Sequence, residues 1–167
     1  MVSSILLLAF VIVSCSEESG KAATNTMSSG KGDSSEMTVA LVDLTPKVGT
    51  NRWYTVSQKE EGQAIFSQYC ASCHGKKAES VDTWRKVDDN GNYPPPPLNG
   101  SAHAWHHPLA TLDMVIHDGG APLGGVMPAW GEILTEGQRL QAIASFQDYW
   151  TDETYAMWLE REKSSRE

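Results

Sequence analysis

The chain has 167 residues, enough for one modest domain and not two. Hydrophobic residues make up 40%, which allows a core but a thin one, and a formal charge of −8 excludes the basic surface that nucleic-acid binding requires. An acidic surface of this kind favours partners with a basic docking face.

Residues Ile5 to Val13 form an apolar run. It is too short to span a bilayer, which needs about 20 residues, and it has the length of a signal-peptide h-region. No Lys or Arg precedes it. The run closes on Ile12-Val13-Ser14-Cys15, which resembles a bacterial lipobox. That resemblance implies cleavage before Cys15, diacylglycerol on its thiol and acylation of its new amine. Several acyl chains together anchor a protein stably. Ordinary secretion, with Cys15 removed or inert, is the alternative. From Ser16 to about Thr50 the chain is rich in Ser, Gly, Thr, Lys and Glu, and residues 28–35 show no apolar periodicity. Such a stretch cannot bury enough surface to offset its ordering and reads as a flexible linker, with a reach of roughly 30–35 Å. Met37 to Leu44 suits a short extended segment docked on the domain.

The domain opens with Ser57-Gln58-Lys59-Glu60, which predicts a capping box, followed by Ala64, Ile65, Phe66 and Tyr69 on one helical face. Gly62 is costly within a helix unless close packing offsets it. The helix runs into Cys70-Ala71-Ser72-Cys73-His74, a C-x-x-C-H pentapeptide and the attachment signature of c-type haem. Two thiols at this spacing reach vinyl groups on neighbouring pyrrole rings and add as thioethers, while the histidine offers a nitrogen to iron. A thiol–disulfide redox pair would follow a strand and open a helix, whereas this motif ends a helical pattern. A zinc site needs about four ligands, and there is no second cysteine pair. With Cys15 in the leader, no thiol remains for a structural disulfide. A buried haem would supply the large apolar body that so thin a core lacks.

Glu79 to Asn92 is polar and reads as a surface insertion. Tyr93 to Gly100 contains four consecutive prolines and predicts a stiff extended loop. The segment Ala102-His103-Ala104-Trp105-His106-His107-Pro108 follows, then a helical stretch holding Met114 and His117, then Gly124-Gly125-Val126-Met127-Pro128-Ala129-Trp130. Thr135 is a predicted N-cap, with Glu136 and Gln138 behind it and a stripe of Leu140, Ile143, Ala144 and Phe146 running towards Trp150. A last helix from Asp152 to about Glu162 puts Tyr155, Trp158 and Leu159 on one side.

The run Gly62-x-x-x-Phe66-x-x-x-Cys70-x-x-Cys73-His74 resembles the opening of class I cytochrome c, and the likeness extends over about residues 51–150. It implies an all-α fold with helices packed around one covalently bound haem c. In that family the glycine lets the N-terminal helix cross the C-terminal helix closely, which makes Ala144 the small residue expected to receive it. The glycine-rich segment is similar to the family's methionine loop and implies that Met127, 53 residues after His74, is the sixth ligand to iron. Met27 and Met37 fall in the linker, Met157 in the terminal helix and Met114 in a helical stretch. The family's Pro-x-Leu-x-Gly pattern implies that the Pro96 carbonyl accepts from Nδ1 of His74, fixing the ring and raising its basicity, and that Leu98 packs on the haem. A shift to Pro95 is the neighbouring register. Trp-His-His-Pro at 105–108 is similar to a motif in a subgroup of small bacterial monohaem cytochromes that also carry the Met-Pro loop. An imidazole from His103, His106, His107 or His117 as sixth ligand is the alternative, and would lower the potential. Trp105 and Trp130 flank the proposed haem segments and are expected in the pocket.

The expected organisation is a lipoprotein signal segment at 1–15, a flexible Ser/Gly-rich linker at 16–50, and a monohaem cytochrome c domain at 51–167 with a C-terminal helical extension. The expected function is electron transfer by an exported, lipid-anchored carrier cycling Fe(III)/Fe(II) on the periplasmic face of the bacterial cell envelope. A complete His/Met shell leaves no open site, so no catalysis is expected. Its redox partners would be a terminal oxidase, a quinol-oxidising complex or a periplasmic dehydrogenase. The alternatives are a cytochrome subunit of a larger oxidase or dehydrogenase complex, and a haem-based sensor with a weak sixth ligand.

Overall fold

A computed structural model describes residues 38–167. Cys15, the predicted signal segment 1–15 and the linker up to residue 37 lie outside the described residues.

Two helices crossing at a glycine organise the domain. Helix α1 (Val56–Tyr69) starts at Thr55, whose extended backbone ends the incoming segment and whose Oγ1 accepts from the Gln58 amide. The Gln58 side chain accepts from the Thr55 amide in return, at 2.8 Å. The capping box therefore begins two residues before the predicted Ser57. Ser57 already lies inside the helix, and its hydroxyl donates to Glu61 one turn on, at 2.9 Å. A one-turn helix, α2 (Ala71–His74), follows. Helix α3 (Leu109–Asp118) buries Leu109, Leu112 and Ile116. Helix α4 (Glu136–Gln147) begins at the predicted cap Thr135, with Gln138 closing the reciprocal box. Helix α5 (Asp152–Ser164) begins at Thr151. The described residues contain no strand, only a lone bridge between Tyr93 and Gly125.

Helix α1 packs on α4 where Gly62 meets the backbone of the partner. A Cβ on Gly62 would lie 1.8 Å from the carbonyl oxygen of Gln141 and 3.2 Å from Cβ of Ser145. The contact thus falls on Gln141 and Ser145 rather than on Ala144, although Ala144 is buried close by. Ser145 suits the place because it is small and its hydroxyl is satisfied within its own helix, donating to the Ala142 carbonyl at 2.7 Å. Phe66, Leu140, Ile143 and Phe146 build the core around this crossing.

Helix α5 is part of the same core. Its Trp158 is fully buried and donates from Nε1 to the His107 carbonyl at 3.1 Å. Its Tyr155 hydroxyl accepts from the Trp53 amide at 3.0 Å, and the Arg52 guanidinium sits 4.2 Å over the Tyr155 ring. The buried carboxylate of Glu162 accepts from the Leu109 amide at 2.6 Å. That fills the place of an N-cap for α3, which begins after Pro108 with no side-chain cap of its own.

The segment before α1 is also held. Val39–Leu41 forms a 3₁₀ turn, not the expected extended piece. The Val39 amide donates to Glu136 at 2.6 Å and the Val42 carbonyl accepts from Arg166 at 2.8 Å. The predicted linker, drawn to residue 50, is therefore docked on the domain over residues 39–42. The docking expected for Met37 to Leu44 is thus present, in a 3₁₀ turn rather than an extended piece.

The crossing makes a directional prediction. Gly62→Ala should lower unfolding stability by about 1–3 kcal/mol or more, because the new carbon meets backbone that cannot rotate away. Gly137→Ala, in the same fold at an open helical position, should instead stabilise by about 0.5 kcal/mol. Thermal unfolding followed by circular dichroism would read both.

Candidate functional site

Cys70 closes α1, and α2 turns immediately after it, with the amides of Cys73 and His74 both donating to the Cys70 carbonyl at 3.1 and 3.0 Å. This turn points three reactive groups out of one short segment. Cys70 and Cys73 are free thiols, the first half-buried and the second exposed. Burial, reinforced by the neighbouring Cys73, pushes the Cys70 thiol up to about 11. His74 is buried, and Nδ1 lies 3.1 Å from the Pro96 carbonyl oxygen. A carbonyl can only accept, so Nδ1 carries the proton and Nε2 keeps its lone pair. Burial lowers the pKa of this ring below its ordinary value, and the Pro96 bond opposes that shift. A neutral imidazole with a free Nε2 is the form that ligates metal.

The proline loop is tied down on both sides. The Leu98 and Asn99 amides donate to the Ala78 carbonyl at 2.8 and 3.2 Å. Trp150 donates from Nε1 to the Leu98 carbonyl at 2.7 Å. The Ser80 hydroxyl donates to the Pro95 carbonyl. Pro95 is thus engaged elsewhere, which leaves Pro96 for His74.

The glycine-rich loop folds back on the end of α3. The Gly120 amide donates to the Met127 carbonyl at 2.9 Å, and the Trp130 and Gly131 amides donate to Ile116 and His117 at 3.0 Å each. Gly119, at φ +82°, lets the chain pass closely: a Cβ there would lie 2.8 Å from both the Met127 oxygen and the Ala129 nitrogen. The bridge between Tyr93 and Gly125 joins this loop to the proline loop.

Between these segments lies a cavity of about 690 Å³. His74 lines it, as do Pro96 and Leu98 from the proline loop, Leu112 and Val115 from α3, and Met127 from the glycine-rich loop. Its size falls inside the range of about 300–1,000 Å³ found for cofactor pockets. Arg85 is the one lining residue of fixed charge, and no Asp or Glu lines it. No cluster of three or more His, Cys, Asp or Glu suited to a metal ion occurs among the described residues. The pocket therefore suits a large apolar ligand rather than a bare ion. A covalent haem matches it: Cys70 and Cys73 are not among the lining residues but are free thiols on the turn that carries His74, His74 is a nitrogen donor with a fixed tautomer, and Met127 lines the cavity with a thioether from a separate loop.

Two expected pocket residues are elsewhere. Trp105 does not line this cavity; it faces a second, open groove with His106, Met157 and Arg161. Trp130 packs edge-on against Tyr69 at 5.3 Å, behind the methionine loop. Both flank site segments in sequence, but Trp105 sits in the 3₁₀ turn Ala104–His106 and neither ring lines the cavity. Conversely, the stretch read as a surface insertion contributes Trp84 and Arg85 to the lining. A lone tryptophan in a polar stretch was the available signal. His103 and His107 line the cavity, while His106 and His117 do not. Met114 also lines it, half exposed on α3, so a helical setting did not keep it from the site.

The opposite face of α3 is locked by a buried ion pair. Arg139 donates from Nε and Nη2 to the two oxygens of Asp113, at 2.8 and 3.1 Å, and from Nη1 to the Leu134 carbonyl at 2.8 Å. Leu134 in turn is bonded to Trp130, at 2.8 Å. One guanidinium thereby ties α3, α4 and the end of the methionine loop together.

The family model described as cytochrome c oxidase, cbb3-type, subunit III matches residues 57–146. No curated protein and no solved structure matches the chain.

Removing one partner of the buried pair should be expensive. Asp113→Ala should cost about 3–5 kcal/mol in a denaturant titration, since it strands a buried guanidinium. Asp118→Ala, at an exposed carboxylate beside His117, should change stability by less than about 0.5 kcal/mol.

Proposed function

Because the chain belongs to the cytochrome c oxidase, cbb3-type, subunit III family, an all-α cytochrome c fold with covalent haem c for electron transfer, we propose that it is an exported, lipid-anchored monohaem carrier with iron held between His74 and Met127. The observation that carries this reading is that both side chains, from separate segments, line one apolar cavity, and that two free thiols stand on the same short turn as His74. Bound haem supplies the Fe(III)/Fe(II) couple. Cys70 and Cys73 hold it covalently. His74 offers Nε2 with its ring fixed by Pro96, and Met127 offers a thioether, which favours Fe(II). Leu98, Leu112 and Val115 exclude water, which limits the reorganisation each electron requires. With His74 and Met127 both offered to iron, no position would be left for a substrate, so the reading is a carrier and not an enzyme.

Membrane attachment in this reading comes through Cys15. Among the described residues no helix is long and apolar enough to cross a membrane. The acidic chain suits a redox partner with a basic face, of the kind presented by a terminal oxidase, a quinol-oxidising complex or a periplasmic dehydrogenase. The description of the matched family as an oxidase subunit favours a second reading, in which the protein is the electron-entry subunit of an oxidase complex. Purification in mild detergent separates the two: a stoichiometric haem–copper partner supports the subunit, and a lone chain supports the shuttle.

The axial pair is tested by spectroscopy and potentiometry. The oxidised protein should show a far-red sulfur-to-iron band. Met127→Ala should abolish it and allow the reduced protein to bind carbon monoxide, and Met127→His should lower the potential. Met114→Ala should leave the band in place. Loss of the band in Met114→Ala with its retention in Met127→Ala would move the ligand to α3. Ready carbon monoxide binding by the wild type would favour a sensor.

The anchor has its own test. Mass spectrometry of the membrane fraction should find a triacylated N-terminal Cys15, and Cys15→Ala should release the cytochrome into the soluble fraction. An unmodified mature terminus at another residue would remove the anchor and leave the electron carrier standing.

A further inference from the structure

Four side chains at one end of the cavity are unused by the reading above. The Arg85 guanidinium lies 4.2 Å over the Trp84 ring. Trp84 faces the His103 ring at 5.7 Å, and His103 meets His107 edge-on at 5.6 Å. All four line the cavity, whose remaining walls are largely apolar and carry no carboxylate. In a chain of formal charge −8, this end is basic where the average surface is acidic. The cluster is also braced, since the His107 carbonyl accepts from the buried Trp158 of α5.

Haem c is an amphiphile. Its ring requires the apolar walls, and its two propionate carboxylates require donors, preferably charged ones. We propose that Arg85, His103 and His107 form the clamp that receives the propionates, and that the imidazole pair makes the reduction potential depend on pH. The proposal rests on the electron-carrier reading of the same cavity.

The chemistry follows from the three donors. Arg85 keeps its charge at all working pH and presents a planar fork to a carboxylate. Each imidazole donates one hydrogen bond when neutral and two when protonated. Burial, with His103 and His106 nearby, holds His107 below its ordinary value, and a carboxylate partner pulls it back up. The acids on the packed helix are engaged elsewhere. Glu162 serves the Leu109 amide and Arg166, and Glu160 pairs with Lys163 at 3.2 Å. His106 and Arg161 face the neighbouring groove. On the stretch that carries Arg85, Glu79 accepts from the Lys77 amide and Asp88 from the Asn90 and Asn92 amides, and neither these nor Asp82 and Asp89 line the cavity, so the carboxylates that answer this pair are those of the ligand.

Proton and electron then move together. With haem bound, reduction would be accompanied by partial uptake of one proton from solvent at the imidazole pair, and oxidation would return it. A protonated imidazole stabilises the added electron. The potential is thus highest at low pH, falls as pH rises through the imidazole range, and levels off above it.

The experiment is a potentiometric titration of the full-length, detergent-solubilised holoprotein between about pH 5 and 8, with the far-red band recorded at each point. The wild-type potential should fall with pH. His103→Gln and His107→Gln should each reduce that slope, and the double variant should lose more than half of it, with the band intact throughout. Arg85→Gln should lower the potential at every pH and keep the slope. His117→Gln, at an exposed residue outside the cavity, should match the wild type. A flat wild-type profile, or an unchanged slope in the double variant, would overturn the clamp. A wild type without the far-red band, together with a high-spin spectrum in either single histidine variant, would mean that this imidazole binds iron, and would overturn both the clamp and the His74/Met127 assignment. An unchanged spectrum in Met127→Ala together with a flattened slope in the double histidine variant would sink the axial assignment alone and support the clamp.

Discussion

The contact between Gly62 and the carbonyl of Gln141 governs the rest of the domain. It lets α1 and α4 approach until their backbones touch, and both sides of the site depend on those two helices. α1 runs without interruption into Cys70 and the turn that carries His74. α4 carries Arg139, which grips Asp113 on α3 and, through Leu134, the end of the methionine loop. The spacing between His74 and Met127 is thus set by packing far from either of them. A hydrogen atom in place of a methyl group at residue 62 is the condition for that spacing.

Much of the site is loop, and loops without strands must find partners for their backbone groups in other ways. Here the partners are consistently long-range. Ala78 answers Leu98 and Asn99, Trp150 answers Leu98, Ser80 answers Pro95, and His74 answers Pro96. Three segments distant in sequence are therefore joined around one proline run, which donates no amide hydrogens of its own across its four prolines. The stiffness of that run makes the arrangement economical, since little chain entropy is lost in holding it.

The parts of this architecture legible in the sequence are those set by local chemistry. The C-x-x-C-H turn needs only five residues, the α4 cap needs Thr135 and Gln138, and the pairing of His74 with Pro96 follows once the proline run is aligned. The parts that were not legible depend on the third dimension. Thr55 and Ser57 are both capable caps, and only the direction of the incoming chain decides between them. Ser145 takes the place given to Ala144 because the face of α4 turned to Gly62 is the one that carries Gln141 and Ser145. Trp105 and Trp130 stand beside site residues in sequence, yet their rings face a separate groove and the Tyr69 side of α1. Trp84 and Arg85 sit in a polar stretch and reach the cavity because the turns between Ala78 and Tyr93 fold that stretch across its mouth. Adjacency along the chain proved a poor guide to adjacency around the cavity.

The docking of residues 39–42 bears on mechanics. A pull delivered through the chain N-terminal to the domain meets two fasteners before it reaches α1: the Val39 amide on Glu136, and the Val42 carbonyl on Arg166. These load the start of α4 and the far end of α5, not the turn that carries Cys70 and His74. Strain entering along residues 39–42 is thereby shunted past the C-x-x-C-H turn, whose geometry stays insulated from it.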